Sequence, residues 1–228
     1  MGDKKPVHIG VPVLRRYDLL RLMLLSAAAS SVMPAKVWII DNGRQPSKVH
    51  EAIAELPFPV DACQPDVPLG VAESWNWLLA NMPEERIITN DDIVFTGDAI
   101  EKMRDTPGDL VFGHGFSCYL MRDSAVQKIG KFDEAISPGY AYWEDIDYDM
   151  RVRLFVAGGG EFLMQNAPCE VLHGGSQTNE WASPEDIREH HRKFELAKHN
   201  TIQKYAHLPY EQQHPALQPH LRAPQAAK

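Results

Sequence analysis

The chain has 228 residues, 44% of them hydrophobic, and a formal net charge of −8, so it can bury the core of one large domain. The negative charge and the lack of a basic cluster argue against a nucleic-acid partner. No stretch approaches the ~18 apolar residues of a membrane span, and the start lacks the apolar region of a signal peptide. Cys63, Cys118 and Cys169 lie far apart in the sequence. This spacing is typical of reduced thiols in a cytoplasm, and not of a disulfide framework or a zinc knuckle.

Strands and helices alternate through the first half of the chain. Short apolar runs rich in β-branched residues predict strands at 7–13, at 36–40, near 60 and up to Thr89. Apolar residues at helical spacing predict helices at 15–29, 46–56 and 70–81. This alternation predicts an α/β three-layer sandwich with a mostly parallel central sheet.

The second half has shorter elements and ends in a long helix. We expect helices at 98–104, 124–129 and 143–156, strands within 110–121, and short strands at 161–164 and 170–173. Ser183, Pro184 and the acids after them predict the start of a helix that ends near 206. Residues 208–228 contain four prolines and little to bury, which predicts an extended or disordered tail.

Two adjacent carboxylates interrupt a buried apolar run. Asn90, Asp91 and Asp92 directly follow the strand that ends at Thr89, and the apolar run resumes at Ile93. The two acids should repel each other and be costly to bury unless a cation lies beside them. Mg²⁺ or Mn²⁺ would suit, since such ions bind through one or two carboxylates plus substrate phosphates. The alternative is a tight turn, in which Asn and Asp are favoured.

Other polar positions fall at the ends of neighbouring strands. Pro12 and Val13 end the first strand, and Asp41 ends the second. Ligands of open parallel sheets bind beyond the carboxyl ends of the strands, so we expect these residues to meet Asp91 and Asp92 in one crevice. This expectation favours the cation site over a plain turn.

A second acidic cluster comprises Glu144, Asp145, Asp147 and Asp149. A calcium loop is excluded, because Met150 stands where glycine is required and Val156 where glutamate is required. In a helix, Asp145 and Asp149 share one face. The alternative to a functional role is that acids in a first helical turn only interact with the helix dipole.

Eight segments in order carry a resemblance to a known family: VHIGVPV, VWIIDNG, PLGVAESWNWLL, IITNDDIVF, FSCYLMRDSAVQKIGKFDE, WEDIDYDMRVRLFVAG, VLHGGS and HNTIQKYA. From 7 to 205 the chain resembles GT-A-fold glycosyltransferases of the family 2 type, which include rhamnosyl- and galactofuranosyl-transferases. The resemblance implies one GT-A, Rossmann-like domain over 1–207. It places a nucleotide-binding half at about 1–97, an acceptor side at about 98–182 and a C-terminal helix at about 184–206.

The resemblance also assigns donor-binding residues. Asp92 and His173 match ligands of Mg²⁺ or Mn²⁺, and Asp91 would lie near the metal or the ribose. The remaining donor positions match residues that hold the nucleotide: Pro12, Val13, Asp41, Gly70 and Asn76. Two departures stand out. Pro68 replaces an asparagine that the family often has two residues before Gly70, and Asn90 replaces the aspartate that many members carry first in the DxD-type motif.

The ED motif is the matching feature on the acceptor side. Asp145 matches the general base, while Trp143 and Glu144 are assigned to acceptor binding. The aromatic side chains of Tyr140, Tyr142 and Trp143 would either stack on an acceptor sugar or serve as packing residues. Later histidines show no tight metal spacing, so we expect them on the solvated surface or tail: His190, His191, His199, His207, His214 and His220.

The implied function is metal-dependent, inverting transfer of a sugar from a UDP-, dTDP- or GDP-linked donor to an acceptor hydroxyl. The acceptor is left open among a glycan, a lipid-linked sugar, a small molecule and a protein side chain, and a homo-oligomer is also left open. A retaining transferase is one alternative. A sugar nucleotidyltransferase would need a glycine-rich loop after the first strand, which VPVLRRYDLL lacks. A non-catalytic nucleotide-sugar or carbohydrate-binding module is disfavoured, since unneeded carboxylate clusters cost stability.

Overall fold

The computed structural model describes residues 5–139, 142–175, 183–209 and 212–221. The strands are β1 (His8–Val13), β2 (Lys36–Asp41), β3 (Val60–Cys63), β4 (Arg86–Thr89), β5 (Ile93–Phe95), β6 (Leu110–His114), β7 (Cys118–Met121), β8 (Met164–Asn166) and β9 (Val171–His173). The helices are α1 (Tyr17–Ala28), α2 (Pro46–Ile53), α3 (Val71–Asn81), α4 (Ala99–Asp105), α5 (Asp123–Ile129), α6 (Glu144–Ala157), α7 (Pro184–Tyr205) and α8 (Gln218–Leu221).

Seven strands form the central sheet, in the order β3-β2-β1-β4-β7-β6-β8. β1 pairs in parallel with β2 and β4, β2 pairs in parallel with β3, and β6 pairs in parallel with β8. Strand β7 is antiparallel to both of its neighbours, β4 and β6. All four residues of β4 are buried, as expected for a strand covered on both faces. The predicted α/β class with a mostly parallel sheet is confirmed.

Helices cover both faces of the sheet, which gives the three predicted layers. One core combines α1, α2 and α4 with residues such as Ile9 and Val11 of β1. The other combines α3, α5 and α6 with Ile88 of β4 and Tyr119 of β7. Gly10 lets α3 approach β1 closely, since a Cβ there would lie 2.6 Å from Met82 Sδ. Each fully buried aliphatic side chain in these cores contributes about 1.5–3 kcal/mol to folding.

Helix α7 begins where the sequence predicts. The Asp186 N–H donates to Ser183 Oγ at 3.1 Å and the Ser183 N–H donates to Asp186 Oδ2 at 3.1 Å, so the first turn has a complete capping box. The C-terminal half of α7 packs on α6 in a third apolar cluster with buried members Ile136, Trp143, Met150, Ala197, Tyr205 and Leu217. Helix α7 is therefore attached to the domain by burial.

The end of the chain differs from the expected extended or disordered tail. In its described part, α8 forms and Leu217 is fully buried in the third cluster. Composition suggested a tail because four prolines stand among few large apolar residues there, yet Leu217 is buried and both Leu208 and Ala216 pack against the same cluster. The strand predicted at 161–164 also lies three residues later, at 164–166, where it pairs with β6.

Among the residues that the structure describes, no helix is both long and apolar enough to span a bilayer.

Candidate functional site

The ends of β1 and β2 bring three predicted residues together. Val13 pairs with Asp41, and Pro12 pairs with Ile40. The pairing continues by one residue, because the Asn42 N–H donates to Val13 O at 2.8 Å. Asp41 is buried and accepts hydrogen bonds from Tyr17 Oη and from the Gln45 N–H at 2.8 Å. Burial and the bond to Asp41 raise the pKa of Tyr17, so it remains a donor. Sequence reasoning did not identify this role of Tyr17.

The loop before α3 is tied to the end of β2. Asn42 Nδ2 donates to Ser74 Oγ at 3.1 Å, and Asn42 Oδ1 accepts the Leu69 N–H at 2.9 Å. Gly70 follows as the residue before α3, and its N–H donates to Glu73 Oε2 at 2.5 Å. Gly70 is therefore held beside the strand ends that carry Asp41.

Asn76 is engaged with a different part of the molecule. Its Nδ2 donates to Phe132 O at 2.9 Å and to Glu134 Oε1 at 2.8 Å, and its Oδ1 accepts the Phe132 N–H at 2.9 Å. The amide thus fixes the loop after α5 against α3. Its assignment to donor binding stays a prediction.

The two acids after β4 are buried side by side. Asp91 is 7% exposed and Asp92 is 6% exposed. Burial, and then the charge of Asp92, raise the pKa of Asp91 to about 7, while Arg16 acts in the opposite direction. A cation beside the pair would favour the charged form of both acids.

His173 reaches the same place from the far end of the chain. β5 and β9 pair antiparallel with Ile93 opposite His173, and the Gly174 N–H donates to Asp92 O at 2.9 Å. His173 Nε2 lies 3.3 Å from Asp92 Oδ1. A Cβ on Gly174 would lie 3.1 Å from Asp92 Cβ, so glycine permits this close approach. The two residues assigned as metal ligands are therefore neighbours.

These donors fit a divalent ion as part of its coordination sphere. His173 Nε2 is buried and has no hydrogen-bond partner among the described residues, and imidazole with carboxylate suits Mn²⁺. The His114 ring lies 5.0 Å from the His173 ring, between centroids. Across the described ranges, however, no set of three or more His, Cys, Asp or Glu side chains is arranged to hold a metal. Asp92 and His173 would thus need further oxygen ligands, such as substrate phosphates.

The turn before α6 is strained and packed. Tyr142 has φ 96° and Trp143 has φ 73°, values that side-chain-bearing residues adopt at an energetic cost. The Tyr142 ring lies 5.4 Å from the Phe194 ring of α7, and the Trp143 ring lies 6.1 Å from it. Trp143 is only 9% exposed. These two rings pack on α7, which favours the packing interpretation, while Tyr140 lies outside the described residues.

Two carboxyl groups follow this turn in environments that favour protonation. Glu144 is 4% exposed, and its Oε2 has no hydrogen-bond partner in the described part of the chain. Burial, and then Asp145, raise the pKa of Glu144 to about 8. Burial also raises the pKa of Asp145, although the Ile146 N–H, which donates to Asp145 Oδ1 at 2.8 Å, lowers it. A carboxylate with a raised pKa is a better proton acceptor near neutral pH.

The other two acids of α6 face their own partners. Asp147 is fully buried, and its carboxylate accepts hydrogen bonds from Lys204 Nζ at 2.6 Å, Tyr205 Oη at 2.7 Å and Arg151 Nε at 2.9 Å. This network joins α6 to α7, so Asp147 has a structural role. Asp149 Oδ2 is 2.7 Å from Arg153 Nε and 3.0 Å from His214 Nε2. The expectation that His214 is solvated is therefore wrong.

Helix α7 relates the two acidic regions to each other. Near its start, Asp186 Oδ2 lies 3.4 Å from Arg15 Nη2, just after β1. Further along, Phe194 contacts Trp143 at the ED turn. Eight residues separate Asp186 from Phe194, which corresponds to about 12 Å along a helix. Helix α7 thus contacts the chain just after β1 and the start of α6 at two points about 12 Å apart along its axis.

A surface cavity of about 360 Å³ opens between α1 and α2. Its lining comprises Arg15, Tyr17, Asp18, Arg21, Lys48, Glu51 and Ala52. Tyr17 connects it to Asp41, but neither acidic cluster contributes to its wall.

No protein-family model matches the chain, and no curated protein matches it. Solved structures do resemble it. One is the mannosyltransferase PcManGT from Pyrobaculum calidifontis in complex with GDP-Man and Mn²⁺, with a TM-score of 0.53 and 14% identity over 73% of this chain. Another is S. aureus TarS 1–349, with a TM-score of 0.59 and 12% identity over 89% of this chain. TarS 1–349 in complex with UDP-GlcNAc has a TM-score of 0.57 and 12% identity over 89% of this chain.

The chain spans only part of these proteins: 57% of the mannosyltransferase, 66% of TarS 1–349 and 67% of TarS 1–349 in its UDP-GlcNAc complex. At such low identities the likeness concerns the fold alone. The mostly parallel seven-stranded sheet, flanked by helices on both faces, is shared with these structures. The chain therefore has a GT-A glycosyltransferase fold.

Proposed function

We propose that the protein is a metal-dependent inverting glycosyltransferase that moves a sugar from a nucleoside-diphosphate sugar to an acceptor hydroxyl. The observation that carries the proposal is the pair formed by Asp92 and His173, 3.3 Å apart at the carboxyl end of β4. A buried carboxylate beside an imidazole whose Nε2 is buried, next to a second buried acid, is a costly arrangement for a protein that binds no cation. Solved structures of the same fold that contain GDP-Man with Mn²⁺, or UDP-GlcNAc, support the class of donor.

The donor would lie across the ends of β1, β2 and β4. Asp41 would accept a base N–H, with Tyr17 and Gln45 fixing the orientation of its carboxylate. Pro12 and Val13 would border the base, because they pair with the end of β2. Asp92 and His173 would hold Mn²⁺ or Mg²⁺. When bound, this ion would neutralise negative charge on the diphosphate leaving group.

Asp145 would act as the general base. As the acceptor oxygen attacks the anomeric carbon, its proton passes to the Asp145 carboxylate. A new carbon–oxygen bond forms on one face of the sugar, and the bond to the diphosphate breaks on the other with its electron pair. Glu144, with a pKa of about 8, would be protonated at neutral pH and able to donate a hydrogen bond to the acceptor.

Inversion follows from assigning a base to the acceptor side and no nucleophile to the donor side. A retaining transferase, a sugar nucleotidyltransferase and a binding module remain alternatives from other mechanistic classes. No observation on the described residues favours any of the three over the inverting transferase.

For localisation we propose the cytoplasm, because Cys63, Cys118 and Cys169 are all free thiols.

The first experiment is a thermal-shift panel of UDP-, dTDP- and GDP-sugars with and without Mn²⁺. A donor at 100 times its Kd should stabilise the protein by about 2.7 kcal/mol, or ~5–10 °C for a chain of this size. Asp92→Asn should lose the Mn²⁺-dependent part of this shift, whereas the matched control Asp66→Asn, at an exposed loop position, should keep it. A panel in which no nucleotide sugar raises the melting temperature would refute the proposal.

The second experiment tests the base. Asp145→Asn should bind the donor as the parent does but lose transfer by about 10²- to 10⁴-fold, because the amide cannot take a proton. Nucleoside diphosphate release with the identified donor and a panel of acceptors gives the rate. Transfer at the parent rate would show that another group removes the proton.

A further inference from the structure

The C-terminal segment, defined here as residues 207–209 and 212–221, returns to the start of α6. After α7 the Leu208 N–H donates to Tyr205 O at 3.1 Å, and Gln213 Nε2 donates to Leu208 O at 2.7 Å. Leu217 is fully buried in the cluster that contains Trp143, the residue that precedes the ED pair. The segment is thus anchored next to the proposed base, although α6 and this segment are far apart in the sequence.

His214 is the polar contact of this segment with α6. Its side chain is 17% exposed, and Nε2 lies 3.0 Å from Asp149 Oδ2. The Ala216 N–H donates to His214 Nδ1 at 3.0 Å. A ring nitrogen that accepts a hydrogen bond carries no proton, so this pattern assigns the proton to Nε2. His214 therefore acts on Asp149 as an N–H donor.

Asp149 lies one helical turn after Asp145 on the same face of α6. The charge of Asp149 raises the pKa of Asp145, an effect smaller than that of burial. Arg153 also holds Asp149 from the next turn of α6, at 2.7 Å. Asp149 on the same helix thus acts on Asp145, Glu144 adjoins Asp145 in the sequence, and His214 and Arg153 both hold Asp149.

We propose that His214 is a positioning residue for the Asp145 carboxylate. Its Nε2–H holds Asp149, and the C-terminal segment with it, against the first two turns of α6. Asp149 is then engaged on both sides, and its negative charge opposes ionisation of the base less than it would if it were free. The inference rests on the proposed base role of Asp145 for its catalytic consequence, but the linkage between His214 and Asp145 exists whatever reaction is catalysed.

The test uses three variants of the full chain. His214→Ala removes the donor, and His214→Gln keeps an amide N–H near the place of Nε2. His207→Ala is the matched control, since His207 is an exposed histidine of the same segment. The primary readout is the titration of the Asp145 carboxyl carbon by NMR in protein labelled at aspartate, assigned by the loss of its signal in Asp145→Asn.

We expect the Asp145 titration midpoint to move to higher pH in His214→Ala and to stay near the parent value in His214→Gln and His207→Ala. In transfer assays, the acid limb of the kcat profile should shift in the same direction. His214→Ala should lose on the order of tenfold in kcat below neutral pH, less than removal of the base itself, with an unchanged KM for the donor. A loss that only reflected unfolding would affect all pH values alike.

Two results would overturn the inference. One is an unchanged Asp145 midpoint in His214→Ala; the other is an equal shift in the Ala and Gln variants, which would show that the N–H donor is irrelevant. If His214→Ala does not fold, an Asp145 midpoint in His214→Gln that lies far from the parent value would also overturn the inference. Because the NMR titration needs no turnover, a parent protein that transfers no sugar would refute the proposed function and leave this test intact.

Discussion

Replacing Glu144 by Gln should stabilise the protein in a strongly pH-dependent way. The Glu144 carboxyl is buried, its Oε2 has no partner among the described residues, and its pKa is raised from 4.5 to about 8. An acid whose pKa is higher in the folded state binds its proton more tightly there. Its contribution to stability is fully present below pH 4.5 and is lost as the pH rises through 8. Glutamine cannot ionise and avoids this loss.

The magnitude follows from the two pKa values. Each pH unit between them corresponds to about 1.4 kcal/mol, so ionising the buried carboxyl costs about 5 kcal/mol in total. Between pH 5 and pH 9, the difference in the free energy of unfolding between Glu144→Gln and the parent should grow by about 4 kcal/mol. This cost is the kind that a functional site imposes on a fold.

Urea unfolding at pH 5, 7 and 9 measures this difference, with Glu161→Gln, an exposed position, as the control. Comparison with the parent at each pH cancels the titration of all other groups. A difference that stays constant from pH 5 to pH 9 would show that Glu144 is already ionised in the folded protein. The burial argument for the ED turn would then be wrong.

Three further predictions concern the surroundings of the site. Asn76→Ala should lower the free energy of unfolding by about 2–4 kcal/mol, because buried backbone groups of the loop it anchors lose their partners; an unchanged urea midpoint would contradict this. Gly174→Ala should weaken the Mn²⁺-dependent rise in melting temperature with an unaltered circular dichroism spectrum, since the added Cβ would crowd Asp92; an undiminished rise would mean that β9 yields without affecting the ion. Lys204→Met should cost about 3 kcal/mol in urea unfolding, because buried Asp147 loses a charged partner at 2.6 Å, and a parent-like midpoint would assign that role to Arg151 alone.

The predicted site residues at strand ends illustrate what a local pattern can establish. The apolar runs that end at Val13, Asp41 and Thr89 locate the carboxyl ends of β1, β2 and β4. Side-chain period and β-branched composition act within a few residues, so a strand and its end can be inferred from a short window. Because parallel strands end at one edge of a sheet, the adjacency of Pro12, Val13 and Asp41 followed as well.

Contacts between distant segments were not accessible in this way. The resemblance assigned His173 to the metal, but its approach to Asp92 depends on the antiparallel pairing of β9 with β5. The same holds for Asn76, whose partners lie beyond α5. Which segments pair across such separations is decided by the total surface that the fold buries, and no short window contains that information.

The amino-acid sequence alone was enough to predict the alternation of strands and helices, the ends of the buried parallel strands and the start of α7 at its capping box. Each of these depends on periodicity or on hydrogen bonds within one turn of chain. The packing of the residues after α7 beside α6, and the contact of His214 with Asp149 there, could be seen only in the folded chain. No short window of sequence contains this packing, because the cluster around Leu217 is formed by residues from three other parts of the chain.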